Sequence, residues 1–330
     1  MRFVPDSYPE IDIVAVGSAI VDVIAQATDA DLRRHDLVKG TMALIDAEQA
    51  EHLYAAMGPA VESSGGSAAN TVAGVASFGG AAGFVGKVRD DQLGGVFTHD
   101  IRSVGVHYDT PPAASGEPTA RCLVFVTPDA QRTMCTFLGA ATGLRPDDVS
   151  EGLLARARIT YLEGYLWDPP EAIDALRRAV EVAHAAGRKV AFTLSDPFCV
   201  DRHRAEFLSV IDDEVDILFA NEIEILSLFE TDDLVKAVDA VRDICELTAV
   251  TRSEHGSVVV HGDETVAVPA APVEHVVDTT GAGDLYAAGF LFGVARGMPL
   301  RRCAELGSLA AAEVISHVGA RPLVPLSRFL

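Results

Sequence analysis

Residues 11–16 (IDIVAV) make the first apolar run, strand-like, and a small-residue break at Gly17-Ser18-Ala19 follows it. Residues 37–45 alternate loosely around Gly40, as a hairpin or an edge strand does. Asp46 then stands as the N-cap of a helix through Met57. Small residues at 62–71 lead into a second helix, with Asn70 about one turn inside it. A strand at 82–85 and a turn follow, and Asp91 caps a helix to about Ser103. Residues 110–118 (TPPAASGEP) form the best candidate boundary in the chain. Beyond them, strand-like runs at 120–126 and 133–138 are joined by a turn that carries Arg132, a hairpin whose arginine by default lies on the surface.

From Ile159 the pattern becomes regular. Strands at 159–162, 190–194 and 216–220 alternate with helices at 171–186 and near 202–210, which predicts a parallel sheet covered on both faces. Further strands are expected at 249–251, 256–260 and 265–268, with another strand-like run at 273–277. Helices at 283–296 and 300–318 close the chain, broken at Gly297-Met298-Pro299 and ended by Gly319. The fold class is α/β, with irregular short elements concentrated in the first 140 residues and no internal repeat.

Charge narrows the partners. The 330 residues carry a net charge of −22, from 48 acidic and 26 basic side chains, and no basic block occurs. Nucleic acid and anionic membrane both reward stripes of Lys and Arg, so neither is expected as a partner. No run is long and apolar enough to span a bilayer, and prolines and acids interrupt the N-terminal segment where a signal peptide would be apolar. The five cysteines are scattered without a CxxC pair, which reads as reduced thiols of a cytoplasmic protein.

The stretch with the most chemistry is Asp278-Thr279-Thr280-Gly281-Ala282-Gly283-Asp284. Small residues at a helix start leave backbone N–H groups unshielded, and the positive end of the helix dipole adds to an anion site there. Asp284 places a carboxylate beside that site. The pairing makes sense when the anion is a phosphoryl group and the carboxylate a base for the attacking hydroxyl. Read alone, the motif is equally a glycine turn with Asp284 at a helix start.

Other candidates are weaker singly. Asp22 lies in apolar company and needs a donor, from a polyol ligand or from a turn. Gly65 and Gly66 permit close approach of a ligand, and Asn70 offers a donor and an acceptor, though tight helix packing explains small residues too. Asn221 and Glu224 share one helix face at a strand end, which suits a hydrated magnesium or an ordinary capping box. Thr251 and Gly256 mark another strand end. Gly86-Lys87 is not a P-loop: Ala81 stands where a glycine is required, and Val88 where Ser or Thr binds magnesium.

Taken in order, these pieces resemble the ribokinase-like (PfkB-type) carbohydrate and nucleoside kinases. Gly65-Gly66…Asn70 with Gly86-Lys87-Val88…Asp90-Asp91…Gly94 is similar to the family's first signature, and residues 278–284 to its second, with Asn221-x-x-Glu224 between them. The resemblance runs from about residue 11 to residue 322. Residues 36–46, 217–222 and Gln131-Arg132-Thr133 look most like adenosine kinases.

The resemblance implies a three-layer α/β sandwich with a mostly parallel central sheet, one kinase domain over residues 1–330, and a small β-sheet lid from insertions at roughly 18–45 and 105–140. It implies Asp284 as base, the Gly281-Ala282-Gly283 backbone as anion hole, and Arg132 reaching from the lid to the transferring phosphate. Asp22, Gly65, Gly66 and Asn70 would bind the acceptor. Asn221 and Glu224 would hold Mg2+, while Asn221, Thr251, Gly256, Gly283 and Gly319 would serve ATP. Ser18 replaces a frequent substrate-contacting asparagine, Arg89 and Ser253 replace usual glycines, and Leu323 stands where potassium-activated relatives carry a serine, which leaves a monovalent-cation site open.

The expected activity is ATP- and Mg2+-dependent transfer of the γ-phosphate to the 5′-OH of adenosine. The alternatives are a sugar kinase acting on fructose, ribose or 2-keto-3-deoxygluconate, and a non-catalytic nucleoside-binding protein. Expected partners are the small-molecule acceptor and ATP, with the chain a monomer or a lid-mediated homodimer.

Overall fold

A computed structural model describes residues 11–129 and 131–330. The strands, in chain order, are β1 (Ile11–Val16), β2 (Ile20–Gln26), β3 (Met42–Leu44), β4 (Ala60–Gly65), β5 (Ala82–Val85), β6 (Val106–Tyr108) and β7 (Ala120–Val126). They continue with β8 (Arg132–Phe137), β9 (Ala157–Glu163), β10 (Lys189–Thr193), β11 (Ile217–Asn221), β12 (Leu247–Thr251), β13 (Ser257–His261) and β14 (Glu264–Val268).

Nine strands build the larger sheet in the order β14-β13-β12-β11-β10-β9-β1-β5-β6. Pairing is parallel from β6 through β12 and antiparallel only at β12–β13 and β13–β14. β1 is buried along its whole length, as a central strand covered on both faces must be. Its alternate side chains feed two cores. Ile13 and Ala15 pack with the helices Ser67–Ser77, Ala282–Ala295 and Leu300–Val314 on one face. Val14 and Val16 pack with Pro170–Ala185, Pro197–Glu214 and Glu222–Leu228 on the other. These are the three layers.

The smaller sheet runs β3-β8-β7-β2-β4. Val21, Val23, Leu123, Phe125 and Cys135 turn inward and join the first core. The other face of this sheet presents Ile20, Asp22, Met42, Leu44, Met134 and Thr136 to a cavity. Every second residue thus looks at the site and every other holds the sheet down.

Three expectations need correction. Residues 273–277 form no strand; Val276 is 62% exposed, and the N–H groups of Val277 and Asp278 both donate to the Ile315 carbonyl at a helix end (2.8 and 3.3 Å). Three valines in a five-residue run after a proline do not distinguish a strand from a crossing segment. The last long helix stops at Val314, and the chain to Gly319, which has φ +107°, is loop. The helix near 202–210 is longer, Pro197–Glu214, because Asp196 caps it and Pro197 opens it; it kinks at His203. No helix among the described residues is long and apolar enough to cross a membrane.

Candidate active site

Four neighbouring parallel strands end at one place. Glu163, Thr193, Asn221 and Thr251 are the last residues of β9, β10, β11 and β12, and all four line a cavity of about 420 Å³. A crevice outside the carboxyl ends of strands is where sheets of this kind bind ligands. The smaller sheet closes it from above, and the start of helix Ala282–Ala295 forms its floor.

That helix is apolar nearly all round, with every residue from Leu285 to Gly293 buried between its neighbours, so its first turn is fixed in place. Gly281 takes a left-handed conformation (φ 78°) at the cap position and leaves the helix without a side-chain cap. The Ala282 N–H donates back to the Thr279 carbonyl (3.2 Å). Asp284, in the first turn, lines the cavity. Its Oδ1 accepts from Ser67 Oγ (2.7 Å) and its Oδ2 from Asn70 Nδ2 (2.9 Å), both on helix Ser67–Ser77. Burial pushes the Asp284 carboxyl above the ordinary range; the Ser67 and Asn70 bonds, then Arg321, pull it back.

Asn70 is 4% exposed, and with Nδ2 committed its Oδ1 is buried without a partner. An orphaned acceptor of that kind marks a place for a donor. Asp22 faces the same cavity from β2; burial pushes its carboxyl up to about 6, against the pull of Arg321 and Arg132 and with a further push from Asp284 and Asp278. Gly65 and Gly66 are glycines for local reasons. A Cβ on Gly65 would collide with the Asp22 carboxylate, and Gly66 (φ 95°) passes directly under the Ser18 carbonyl.

At the far end, Asn221 and Glu224 form a reciprocal capping box. Asn221 Oδ1 accepts from the Glu224 N–H (2.8 Å), while the Glu224 oxygens accept from Asn221 N–H (2.9 Å) and Nδ2 (2.6 Å). Burial pushes the Glu224 carboxyl up to about 7; the Asn221 N–H opposes this and nearby Asp196 adds to it. Thr251 lines the cavity beside them. Gly256 does not; it sits in the β12–β13 turn, where its N–H donates to the Ser253 carbonyl (3.1 Å). Among the described residues no group of three or more His, Cys, Asp or Glu is placed to hold a metal ion.

Arg132 is not a surface turn residue. It opens β8, is 10% exposed, and pairs with Asp278 (2.8 Å) and Thr280 Oγ1 (3.2 Å). Asp278 also accepts from the Thr280 N–H (3.0 Å) and hydroxyl (2.7 Å) and from the Gly319 N–H (2.8 Å). One buried carboxylate therefore ties the arginine of the smaller sheet, the glycine loop and the C-terminal loop together. Arg132 and Gly319 line a second, small cavity of about 40 Å³ behind Asp22.

The sequence matches the pfkB family of carbohydrate kinases over residues 11–326. The chain belongs to that family. Its members are phosphotransferases with an alcohol group as acceptor. The kinase is 55% identical to an adenosine kinase from Sinorhizobium meliloti (TM-score 0.91, covering 97% of this chain and 98% of that one). It is 51% identical to a "probable sugar kinase protein" from Rhizobium etli CFN 42 (TM-score 0.91, 97% of each chain). It is also 28% identical to the adenosine kinase of Saccharomyces cerevisiae, over 93% of this chain and 95% of that protein.

Sequence reasoning missed three residues of the kinase's cavity region. Ser67 sits between Gly66 and Asn70, and only its bond to Asp284 distinguishes it from other small residues there. Glu163 is fully buried at the end of β9 and accepts from the Ser18 (2.6 Å) and Ala68 (2.9 Å) N–H groups, with burial pushing its carboxyl up to about 7. A glutamate closing an apolar strand was the available signal. Arg321 follows Gly319, and nothing local marks it. Lys87, in the false P-loop, pairs with Asp148 (2.5 Å) away from the cavity.

Proposed function

We propose that this kinase transfers the γ-phosphate of ATP, with magnesium, to the primary hydroxyl of a ribose-containing nucleoside, adenosine first. The observation that carries the reading is the Asp284 carboxylate, held by Ser67 and Asn70 at an uncapped, glycine-led helix start. In this reading Asp284 takes the proton of the acceptor hydroxyl. The oxygen so freed bonds to the γ-phosphorus, and the bond from that phosphorus to the ADP bridging oxygen breaks. The Gly281 and Gly283 N–H groups would face the transferring charge, the Ala282 N–H being held by the Thr279 carbonyl, and Arg132 would add a cation there on moving in from the small cavity. Asp22 and Asn70 Oδ1 take donors from the ribose. The smaller sheet acts as the lid that excludes water, the competing acceptor.

Magnesium fits the Asn221–Glu224 end through its own waters, because both side chains already satisfy each other and a lone carboxylate is not a cage. When bound, it neutralises phosphate charge. Thr251 and Gly283 line the cavity and would serve ATP, whereas Gly256 shapes the neighbouring hairpin.

A nucleoside is preferred to a bare sugar because Ile20, Met42, Leu44, Met134 and Leu138 make one wall of the cavity apolar. A planar base covers such a wall; a sugar leaves it wet. Among the described residues no Lys or Arg lines the larger cavity, so a sugar acid's carboxylate has no partner there. The test is ADP release with ATP and magnesium across adenosine, other nucleosides, ribose, fructose and 2-keto-3-deoxygluconate. Turnover of adenosine with the sugars inert is the expected result. A sugar turned over with nucleosides inert overturns the acceptor, and silence with adenosine still bound overturns catalysis.

A further inference from the structure

Asp22 and Asp284 face the same cavity, and two carboxylates in one pocket resist being ionised together. Asp284 has Ser67 and Asn70 as donors, but Asp22 has no hydrogen-bond donor among the described residues. Two cations face Asp22. Arg132 is already paired with Asp278. Arg321 is not so committed. Its Nη2 donates to Ser64 Oγ (2.9 Å), and Ser64 is itself fixed by Asp100, which accepts from its N–H and its hydroxyl (2.7 Å each). The remaining nitrogens, Nε and Nη1, are buried without a partner. Arg321 and Asp22 line the small cavity together, with Ser63, Ser64 and Thr280.

We propose that Arg321 is a positioning residue for phosphoryl transfer: its buried guanidinium is the counter-charge that lets Asp22 bind the acceptor while Asp284 serves as base. The geometry is supported by mutual electrostatics. Arg321 pulls both carboxyls down, and Asp100, Asp22 and Asp284 in turn hold up an arginine that burial lowers to about 10. The other groups facing the pair do not replace it. Asp278 and Asp284 are like charges toward Asp22, and the Cys122 thiol, which burial pushes up to about 12, is neutral. Toward Asp284, Tyr161 and Tyr165 are neutral and Glu163 is another acid.

The inference rests on the kinase reading and on Asp22 as an acceptor contact. Its test is the pH dependence of kcat and KM for adenosine, from about pH 5.5 to 9, at saturating ATP and magnesium. In Arg321→Met the acid limb of kcat/KM should move up by about one pH unit, a loss of about tenfold near pH 6 that closes at high pH. Arg321→Lys should restore most of it. Arg321→Gln keeps a donor for Ser64 without the charge and should reproduce the shift if the methionine variant does not fold. A loss equal at every pH, or one that lysine does not repair, overturns the inference and makes Arg321 a packing residue. Asp22→Asn separates the two ideas. An unchanged KM there sinks the acceptor reading, whereas a raised KM with an unshifted Arg321→Met or Arg321→Gln profile sinks the role of Arg321 alone.

Discussion

At one end of the cavity Asp284 takes both hydrogen bonds from a different helix, and Asn70 is left with a buried oxygen that nothing satisfies. At the other end Asn221 and Glu224 bond reciprocally to each other, three residues apart. The first arrangement costs free energy in the empty protein and returns it when a hydroxyl arrives, which is what preorganisation means. The second is complete without any ligand. In the proposed reading the acceptor end is set by the fold, while the Asn221–Glu224 end would become a metal site only when phosphates and hydrated magnesium come to it. A lone buried carboxylate raised to about 7 is a poor magnet until such a cation stands nearby.

Asp284→Asn strikes the first end hardest. It removes the base and leaves the shape, so kcat should fall by about 10²–10⁴ with acceptor KM little changed. Near-normal turnover, measured by ADP release, removes Asp284 from that role. In the unmodified kinase the acid limb of kcat should lie above the ordinary carboxylate range. Burial favours the neutral acid, and a base works only after losing its proton, so activity is lost as pH falls through that raised value.

Asp284 was legible in the sequence because its setting is local: two glycines and a helix start within seven residues carry the signal. Asn221 and Glu224 were legible for the same reason, and equally as a plain capping box, which is what their bonds are. From its own neighbours Arg132 was visible only as an arginine in a hairpin, and its part in the site came from the family resemblance alone, since its hydroxyl partner Thr280 lies 148 residues away. Arg321 has no local motif at all, and Glu163 only its place at the end of an apolar strand; both acquire meaning from strands and loops that meet only in the fold. The misread run at 273–277 makes the same point in reverse. Its three valines suggested a strand, but Glu274 and His275 interrupt them, Val276 faces solvent, and the backbone bonds to a helix end instead of a sheet.

Arg132 belongs to neither end; through Asp278 it is tied to the glycine loop and to Gly319. Arg132→Ala should lower kcat by about a hundredfold, a magnitude typical of removing one donor to transition-state charge. ATP KM should change far less if the guanidinium meets the phosphoryl group only when the lid is closed. It also leaves Asp278 buried with one counter-charge fewer, so a fall in Tm accompanies the kinetic loss. A silent variant on both measures removes Arg132 from both phosphoryl transfer and stability.

Glu224→Gln gives the smallest effect and the finest distinction. Glutamine at the third helical position keeps the backbone half of the capping box, because its amide oxygen still accepts the Asn221 N–H, but its NH2 group meets Asn221 Nδ2 and that bond is lost, so Tm should fall only modestly. It cannot supply the negative charge that orders the waters of a hydrated magnesium. Half-maximal activity should then need about tenfold more magnesium, while kcat at saturating metal and the acceptor KM stay close to normal. If the magnesium requirement is unmoved while Tm falls, Glu224 is a helix cap and nothing more. If both hold and acceptor KM rises instead, the metal lies elsewhere, and the carboxylate belongs to the same preorganised wall as Asn70 and Asp284.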